Sequence, residues 1–162
     1  MSSSFTSLTK ETRANLQAQI ATFQQECQDL LRKTFLAFFE ACPSVKAIYW
    51  NQYTPSFNDG DPCLFCVGEA TFFNSNDKDA LEAALGKGDL EDFFTEDGEP
   101  VIAMQRWETG FDNFFPYKEC KELDSFLRSA EMKDAMESTF GNDVSVVATK
   151  DGFSIEEYDC GN

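Results

Sequence analysis

The chain has 162 residues, with 13 Lys or Arg, 29 Asp or Glu, no His and a formal net charge of −16. The missing histidines exclude Ser-His-Asp and Cys-His catalysis and histidine-ligated metal sites, and the acidic balance argues against direct binding of nucleic acid or an anionic membrane. Hydrophobic residues make up 42% of the chain, so it can fold around a core of its own, as one domain.

The start of the sequence, Met1 to Leu8, lacks the basic and apolar regions of a secretory signal, and no later stretch approaches 18 uncharged apolar residues. We therefore expect a cytoplasmic protein without membrane contact, whose six cysteines are reduced thiols. Cys63 and Cys66 form a CxxC pair within a strand pattern rather than at a helix start. We interpret them as small buried residues, without a redox or metal role, and predict no cofactor and no metal.

Residues 9–42 contain no Gly or Pro and carry a stripe of residues at alternating steps of four and three: Leu16, Ile20, Phe23, Cys27, Leu30 and Thr34. This spacing predicts a helix of near-heptad periodicity, capped by Thr9 or Ser7 and ended by Pro43. A helix of this length would extend about 50 Å, more than the diameter of a domain of this size. It must either bend or project and pair with another chain.

From Val45 the pattern changes to a period of two, which predicts a strand that runs to Tyr53. The turn-rich residues 54–62 lead to a returning strand over Cys63 to Phe73. A second hairpin is predicted near the other end, where Val144 to Thr149 and Phe153 to Tyr158 flank a Lys-Asp-Gly turn.

Between the hairpins, a short helix is predicted over Lys78 to Leu85, ended by Gly86, and a helix or helix pair over Glu119 to Phe140, ended by Gly141. Residues 87–118 are acidic and irregular, and we expect a loop or insertion laid over the core.

The predicted fold class is α+β, with a long N-terminal helix packed on an antiparallel sheet of about four strands and the additional helices on one face. The single domain over residues 1–162 divides into the helix (1–42), the first hairpin (43–73), the acidic irregular insertion (74–118) and a helix with the C-terminal hairpin (119–159).

Charge is divided unevenly along the chain. Residues 1–57 carry five basic and four acidic side chains, whereas residues 58–162 carry eight basic and 25 acidic ones, a net −17. Three interpretations stay open: a solvated surface, a generic acidic face for a basic protein, and a mimic of the phosphates of a nucleic acid. The candidate acidic face comprises Asp89, Glu91, Asp92, Glu96, Asp97, Glu99, Glu156, Glu157 and Asp159.

The most distinctive stretch runs from Trp50 to Cys63, where a strand with aromatic residues on both faces enters a Pro-bounded turn. It is either a structural corner under the long helix or a binding loop on a rigid hairpin. The candidate binding loop comprises Tyr53, Phe57, Asn58, Asp59 and Asp61.

The same stretch, Trp50-Asn-Gln-Tyr-Thr-Pro-Ser-Phe-Asn-Asp-Gly-Asp-Pro-Cys63, carries a resemblance. With the long helix before it and the Thr149–Gly152 and Glu156–Asp159 segments after it, it resembles a family of small uncharacterised proteins of tailed phages and some bacteria. The resemblance leaves out residues 74–117 and brings no activity and no site residues. It implies a phage accessory protein, a class in which host-takeover and defence inhibitors are expected.

Three functions follow as hypotheses. The first is a non-enzymatic, phage-encoded binding protein in the host cytoplasm, whose acidic surface inhibits a basic host protein such as a defence or nucleic-acid-handling enzyme, in one version as a DNA mimic. The alternative is a structural or assembly module that forms a homo-oligomer through the N-terminal helix residues Leu16, Ile20, Phe23 and Leu30. The third is a carboxylate-dependent metal enzyme, for which no catalytic residue can be named.

Overall fold

The structure, a computed structural model, describes residues 2–55, 64–85 and 93–158, with side chains from Phe5 onward. The described residues form four α-helices and six strands, and two short 3-10 turns, Phe111–Asn113 and Ala130–Met132, flank the third helix. The elements in chain order are α1 Ser2–Ala41, β1 Ala47–Tyr53, β2 Cys66–Val67, β3 Thr71–Phe73, α2 Lys78–Leu85, β4 Ala103–Gln105, α3 Tyr117–Arg128, α4 Lys133–Phe140, β5 Val144–Thr149 and β6 Gly152–Glu157.

The strands form one antiparallel sheet in the order β4-β3-β1-β5-β6, with β2 also paired to β1. The α+β class and the two hairpins are thus confirmed. The described sheet has six strands rather than about four, for two reasons. The predicted returning strand is divided into β2 and β3, and the predicted insertion contributes β4 to the sheet edge.

A bulge divides the returning strand. Three steps along β1, from Gln52 to Tyr49, correspond to four steps along its partner, from Val67 to Thr71. The extra residue lies next to Gly68, whose N–H donates to the Asn51 carbonyl at 2.7 Å. A Cβ at Gly68 would lie 3.1 Å from that carbonyl oxygen, so this close approach of two strands favours glycine.

The sheet is covered on both faces. On one face α1, α3 and α4 form the main core, in which the Phe35 ring stacks on Trp50 with centroids 5.6 Å apart. On the other face Leu81 of α2 packs with Ala47 and Phe73. The expectation that all helices lie on one face is therefore wrong. The central strand β1 is apolar on both sides, since Ala47 and Ile48 are both fully buried, and both sides need a cover.

The helix ends agree with the predictions in part. Pro43 lies two residues after Ala41, the last residue of α1, and Gly141, whose φ of +101° favours glycine, directly follows the last residue of α4. The predicted caps of α1 are wrong, because the helix begins at Ser2 and Ser7 and Thr9 lie inside it. The Thr9 hydroxyl instead donates to the Thr6 carbonyl at 2.8 Å, as it does within a helix.

The predicted insertion contains ordered structure. Residues 93–101, the acidic hairpin, are closed by a bridge between Phe94 and Pro100 and by the bond from Thr95 N–H to the Glu99 carbonyl at 2.7 Å. The Asn74 side chain anchors the hairpin to the sheet, since its amide donates to the Pro100 carbonyl and its oxygen accepts from Ile102 N–H. This segment continues into the edge strand β4, and further along the predicted insertion Phe111 and Phe115 pack into the main core.

Candidate functional site

Residues 5–26 of α1 project away from the rest of the protein. Every residue from Phe5 to Glu26 is exposed, on all sides of the helix, and the first buried side chain after Phe5 is that of Cys27. We call residues 5–26 the projecting segment and the remainder of the protein from Cys27 onward the body. At 1.5 Å per residue the projecting segment is about 33 Å long.

Large apolar side chains remain exposed along this helix. Six of them have 45–70% of their surface exposed and fall within about 120° of the helix circumference. We call this set the apolar stripe: Phe5, Leu8, Leu16, Ile20, Phe23 and Leu30. It contains all four residues of the predicted oligomerisation surface, Leu16, Ile20, Phe23 and Leu30.

The body side of α1 uses a neighbouring sector of the same helix. Cys27, Leu31, Phe35 and Phe38 are only 2–9% exposed and form part of the core. A near-heptad stripe drifts around a straight helix by about 20° for every seven residues, so the two sectors meet at Cys27. Leu30, next to the buried Leu31, stays 65% exposed and extends the apolar stripe to the edge of the body.

Three predicted acidic-face residues lie together on the acidic hairpin. Glu96, Asp97 and Glu99 are exposed and border a groove of about 1000 Å³. Two lysines, Lys46 and Lys150, and the apolar side chains of Phe39, Ile102 and Phe114 complete much of its lining. The groove therefore combines carboxylates, ammonium groups and aromatic surface.

The other described members of the predicted acidic face lie elsewhere. Glu156 and Glu157 are exposed on β6, at the sheet edge opposite β4 and at the end where β5 begins. The two groups thus occupy diagonally opposite corners of the sheet, about 20 Å apart across the strands alone. Asp89, Glu91, Asp92 and Asp159 lie outside the described residues.

Of the candidate binding loop, only Tyr53 is described. It is half-buried at the end of β1, and its ring lies 5.5 Å from that of Tyr158. Phe57, Asn58, Asp59 and Asp61 lie outside the described residues, as do Cys63, Cys160 and the predicted helix stop Gly86.

A buried ion-pair cluster was missed at the sequence level. Asp124 is 1% exposed on α3 and accepts from the Ala70 N–H at 2.9 Å, in the bulge between β2 and β3. Its other oxygen accepts from Arg106 at 2.8 Å and from Arg128 at 2.8 Å. The hydrogen bond to Asp124 raises the pKa of Arg106. The i, i+4 spacing of Asp124 and Arg128 was the available signal, but Arg106 comes from a distant segment.

A second buried polar group also has a packing role. Gln52 is fully buried, accepts from the Trp50 indole N–H at 3.0 Å and donates to the carbonyls of Met136 and Gly141. These bonds join the central strand to the end of α4. Both clusters are closed sets of donors and acceptors, which favours a structural role for them.

Two cysteine thiols are held in their neutral form. Burial raises the pKa of Cys120 above the ordinary thiol value, and the electrostatic effects of Cys42 and Glu119 add to this shift. Burial, with a smaller contribution from Glu119, also raises the pKa of Cys42. Neutral buried thiols are poor nucleophiles and poor metal ligands.

The described part of the chain contains neither a membrane-spanning helix nor a cluster of metal ligands. Its helices include none that combines the length and apolarity needed to span a bilayer. Over residues 2–55, 64–85 and 93–158, no three or more Cys, Asp or Glu side chains converge as a set of metal ligands.

Comparison with known proteins yields no relative for this chain: no protein-family model, no curated protein and no solved structure matches it. The resemblance carried by residues 50–63 therefore stays a prediction, and with it the phage context. The surfaces described above are the basis on which a function can be argued.

Proposed function

We propose that this protein is a non-enzymatic assembly module that oligomerises through the projecting segment of α1. The observation that carries the proposal is the apolar stripe, six large side chains left 45–70% exposed along one side of a helix. Covering apolar surface is favourable by about 25 cal/mol for every Å². Near-heptad spacing is typical of helices that cover such a stripe with another helix.

The charge distribution supports association through this part of the molecule. The projecting segment contains two basic residues, Lys10 and Arg13, and two acidic ones, Glu11 and Glu26, so it is neutral. Residues 58–162 carry a net −17. Two copies can therefore approach through their helices, whereas contact between their bodies is opposed by like charge.

Sedimentation of the purified protein at micromolar concentration tests the proposal. We expect an oligomer for the wild type and a monomer for the Leu16→Asp, Ile20→Asp double variant, because burying two carboxylates per helix is strongly unfavourable. The matched control is Ala14→Asp, Ala21→Asp, which adds the same charge to the opposite side of the same helix and should leave the oligomer intact.

A monomeric wild type over this concentration range would refute the proposal. An oligomer that persists in the Leu16→Asp, Ile20→Asp variant would assign self-association to a different surface. Circular dichroism of all three proteins checks that α1 stays helical.

A second function is favoured by the groove at the acidic hairpin. We propose that Glu96, Asp97 and Glu99 bind a basic partner, a host defence or nucleic-acid-handling protein in the phage context that the resemblance implies. Their exposure beside an aromatic-lined groove supports this, because a basic segment could pair with the carboxylates while its apolar atoms cover Phe114. The DNA-mimic version needs the carboxylates to be spaced like phosphates.

Capture of host proteins at low and high salt tests this second function. We expect a bound protein at low salt that is lost in the Glu96→Gln, Asp97→Asn, Glu99→Gln variant, since exposed charge pairs are screened by salt and abolished by neutralisation. The control Glu156→Gln, Glu157→Gln neutralises exposed carboxylates at the opposite corner and should retain the partner. Equal capture by both variants would contradict a role for the acidic hairpin.

A further inference from the structure

We infer that the projecting segments of two copies pair in an antiparallel arrangement, which places the two bodies at opposite ends of the helix pair. This inference rests on the proposed self-association and adds to it the number of copies, two, and the direction in which they bind. Three observations lead to it: the position of the charge, the order of residues in the apolar stripe and the area available.

The negative charge of the two bodies favours the antiparallel arrangement. In a parallel pair both bodies would lie side by side at the same end, each with a net charge of −16. In an antiparallel pair centred on position 18, Cys27 of one copy lies level with residue 9 of the other, so the starts of the two bodies are about 27 Å apart. The Debye length is about 8 Å at physiological ionic strength, so the antiparallel pair is screened from a repulsion that the parallel pair retains.

The apolar stripes of two antiparallel copies can cover each other. When two copies are placed antiparallel about position 18, Leu16 lies level with Ile20 of the other copy, and Phe5 lies level with the turn that contains Leu30. Both ends of the stripe are then covered, including the exposed Leu30 at the edge of the body. Phe23 falls opposite residue 13, in the part of the stripe that lacks large apolar residues.

The area is sufficient for a stable pair. With roughly 100 Å² of exposed surface on each of the six side chains, two copies would bury about 1200 Å², the lower bound for specific interfaces. Neighbouring polar residues on the helix would add to this area. A dimer that forms in the micromolar range is consistent with an interface of this size.

Site-directed photo-crosslinking in the full chain tests the direction. Phe5 is replaced by p-benzoylphenylalanine, which preserves an aromatic ring, and isotope-labelled and unlabelled copies are mixed so that crosslinks between copies can be recognised. Trypsin cuts after Lys10, Arg13 and Arg32. We expect at least tenfold more crosslinks from peptide 1–10 to peptide 14–32 of the other copy than between two 1–10 peptides.

The possible outcomes distinguish a failure of the antiparallel direction from a failure of self-association itself. Crosslinks mainly between two 1–10 peptides, in a protein that sediments as a dimer, would overturn the antiparallel direction and leave self-association standing. A monomer in sedimentation would overturn both. The same photoreactive residue at Ala21, on the opposite side of the helix, is the control and should give crosslinks at no more than a tenth of the yield.

Discussion

The two parts of α1 differ in what their apolar residues contact, although they belong to one continuous helix. In the body, Phe35 is 2% exposed and packs between Trp50 and Phe153, with ring centroids 5.6 Å and 5.3 Å away. In the projecting segment, Phe23 is 45% exposed and belongs to the apolar stripe. Apolar periodicity therefore identifies a helix surface that needs a cover. In the body the sheet and the other helices provide this cover, whereas in the projecting segment, by our proposal, a second copy provides it.

The largest expected effect comes from removing an aromatic ring from the packed part of α1, and the same change in the projecting segment provides the comparison. Phe35→Ala should lower the free energy of unfolding by about 4 kcal/mol, because it removes a buried aromatic ring and leaves a cavity. Phe23→Ala should change the unfolding of the monomer by no more than about 0.5 kcal/mol, and should instead weaken self-association. Urea unfolding below and above the dimerisation range measures both quantities.

Equal losses of monomer stability in the two variants would contradict the division of α1 into a packed and a projecting part. A Phe23→Ala protein that associates as strongly as the wild type would show that the apolar stripe does not form the contact.

The next effect concerns the ion-pair cluster that joins three segments of the body. Asp124→Asn leaves Arg106 and Arg128 without their shared counter-charge, and we expect a loss of about 3 kcal/mol in the free energy of unfolding. Glu122→Gln on the exposed side of the same helix is the matched control and should change stability by no more than about 0.5 kcal/mol. Urea unfolding measures both variants.

Sedimentation of the Asp124→Asn variant also tests whether the body takes part in the dimer contact. Because Asp124 lies in the body, its substitution should leave the dimer of still-folded protein unchanged in sedimentation. A destabilised dimer would indicate that the body also takes part in the contact.

The smallest expected effect is a pH dependence that belongs to the body. The pKa of Cys120 is raised by burial above the ordinary value of 9.0. At a pH above 9, its thiol therefore stays protonated in the folded protein and ionises in the unfolded one. Its contribution to stability is constant below about pH 8 and is lost as the pH rises past 9, by about 1 kcal/mol at pH 10. Unfolding free energies at pH 8 and pH 10 should therefore differ less in Cys120→Ala than in the wild type.

The substitution itself removes some packing, but that loss is the same at both pH values. An identical difference between pH 8 and pH 10 in the wild type and in Cys120→Ala would contradict a protected thiol at this position.

Much of the fold could be predicted because its signals are local. The period of two in β1, the Lys-Asp-Gly turn between β5 and β6, and the span of α2 over Lys78–Leu85 all agree with the structure. The division of the returning strand could not be predicted, because the contacts at the bulge are long-range: the Ala70 N–H donates to Asp124, 54 residues away in the chain. The pairing of β4 with β3 was missed for the same reason.

For the candidate site, the sequence by itself determined the apolar stripe at Leu16, Ile20, Phe23 and Leu30 and the neutrality of the helix against the acidic remainder. Only the tertiary structure decided that the sector with Leu31 and Phe35 enters the core, leaving Leu30 exposed, and that Glu96 and Glu156 lie at different corners of the sheet. The physical reason is that periodicity and charge are properties of one segment, whereas burial and proximity depend on which distant segments pack against it.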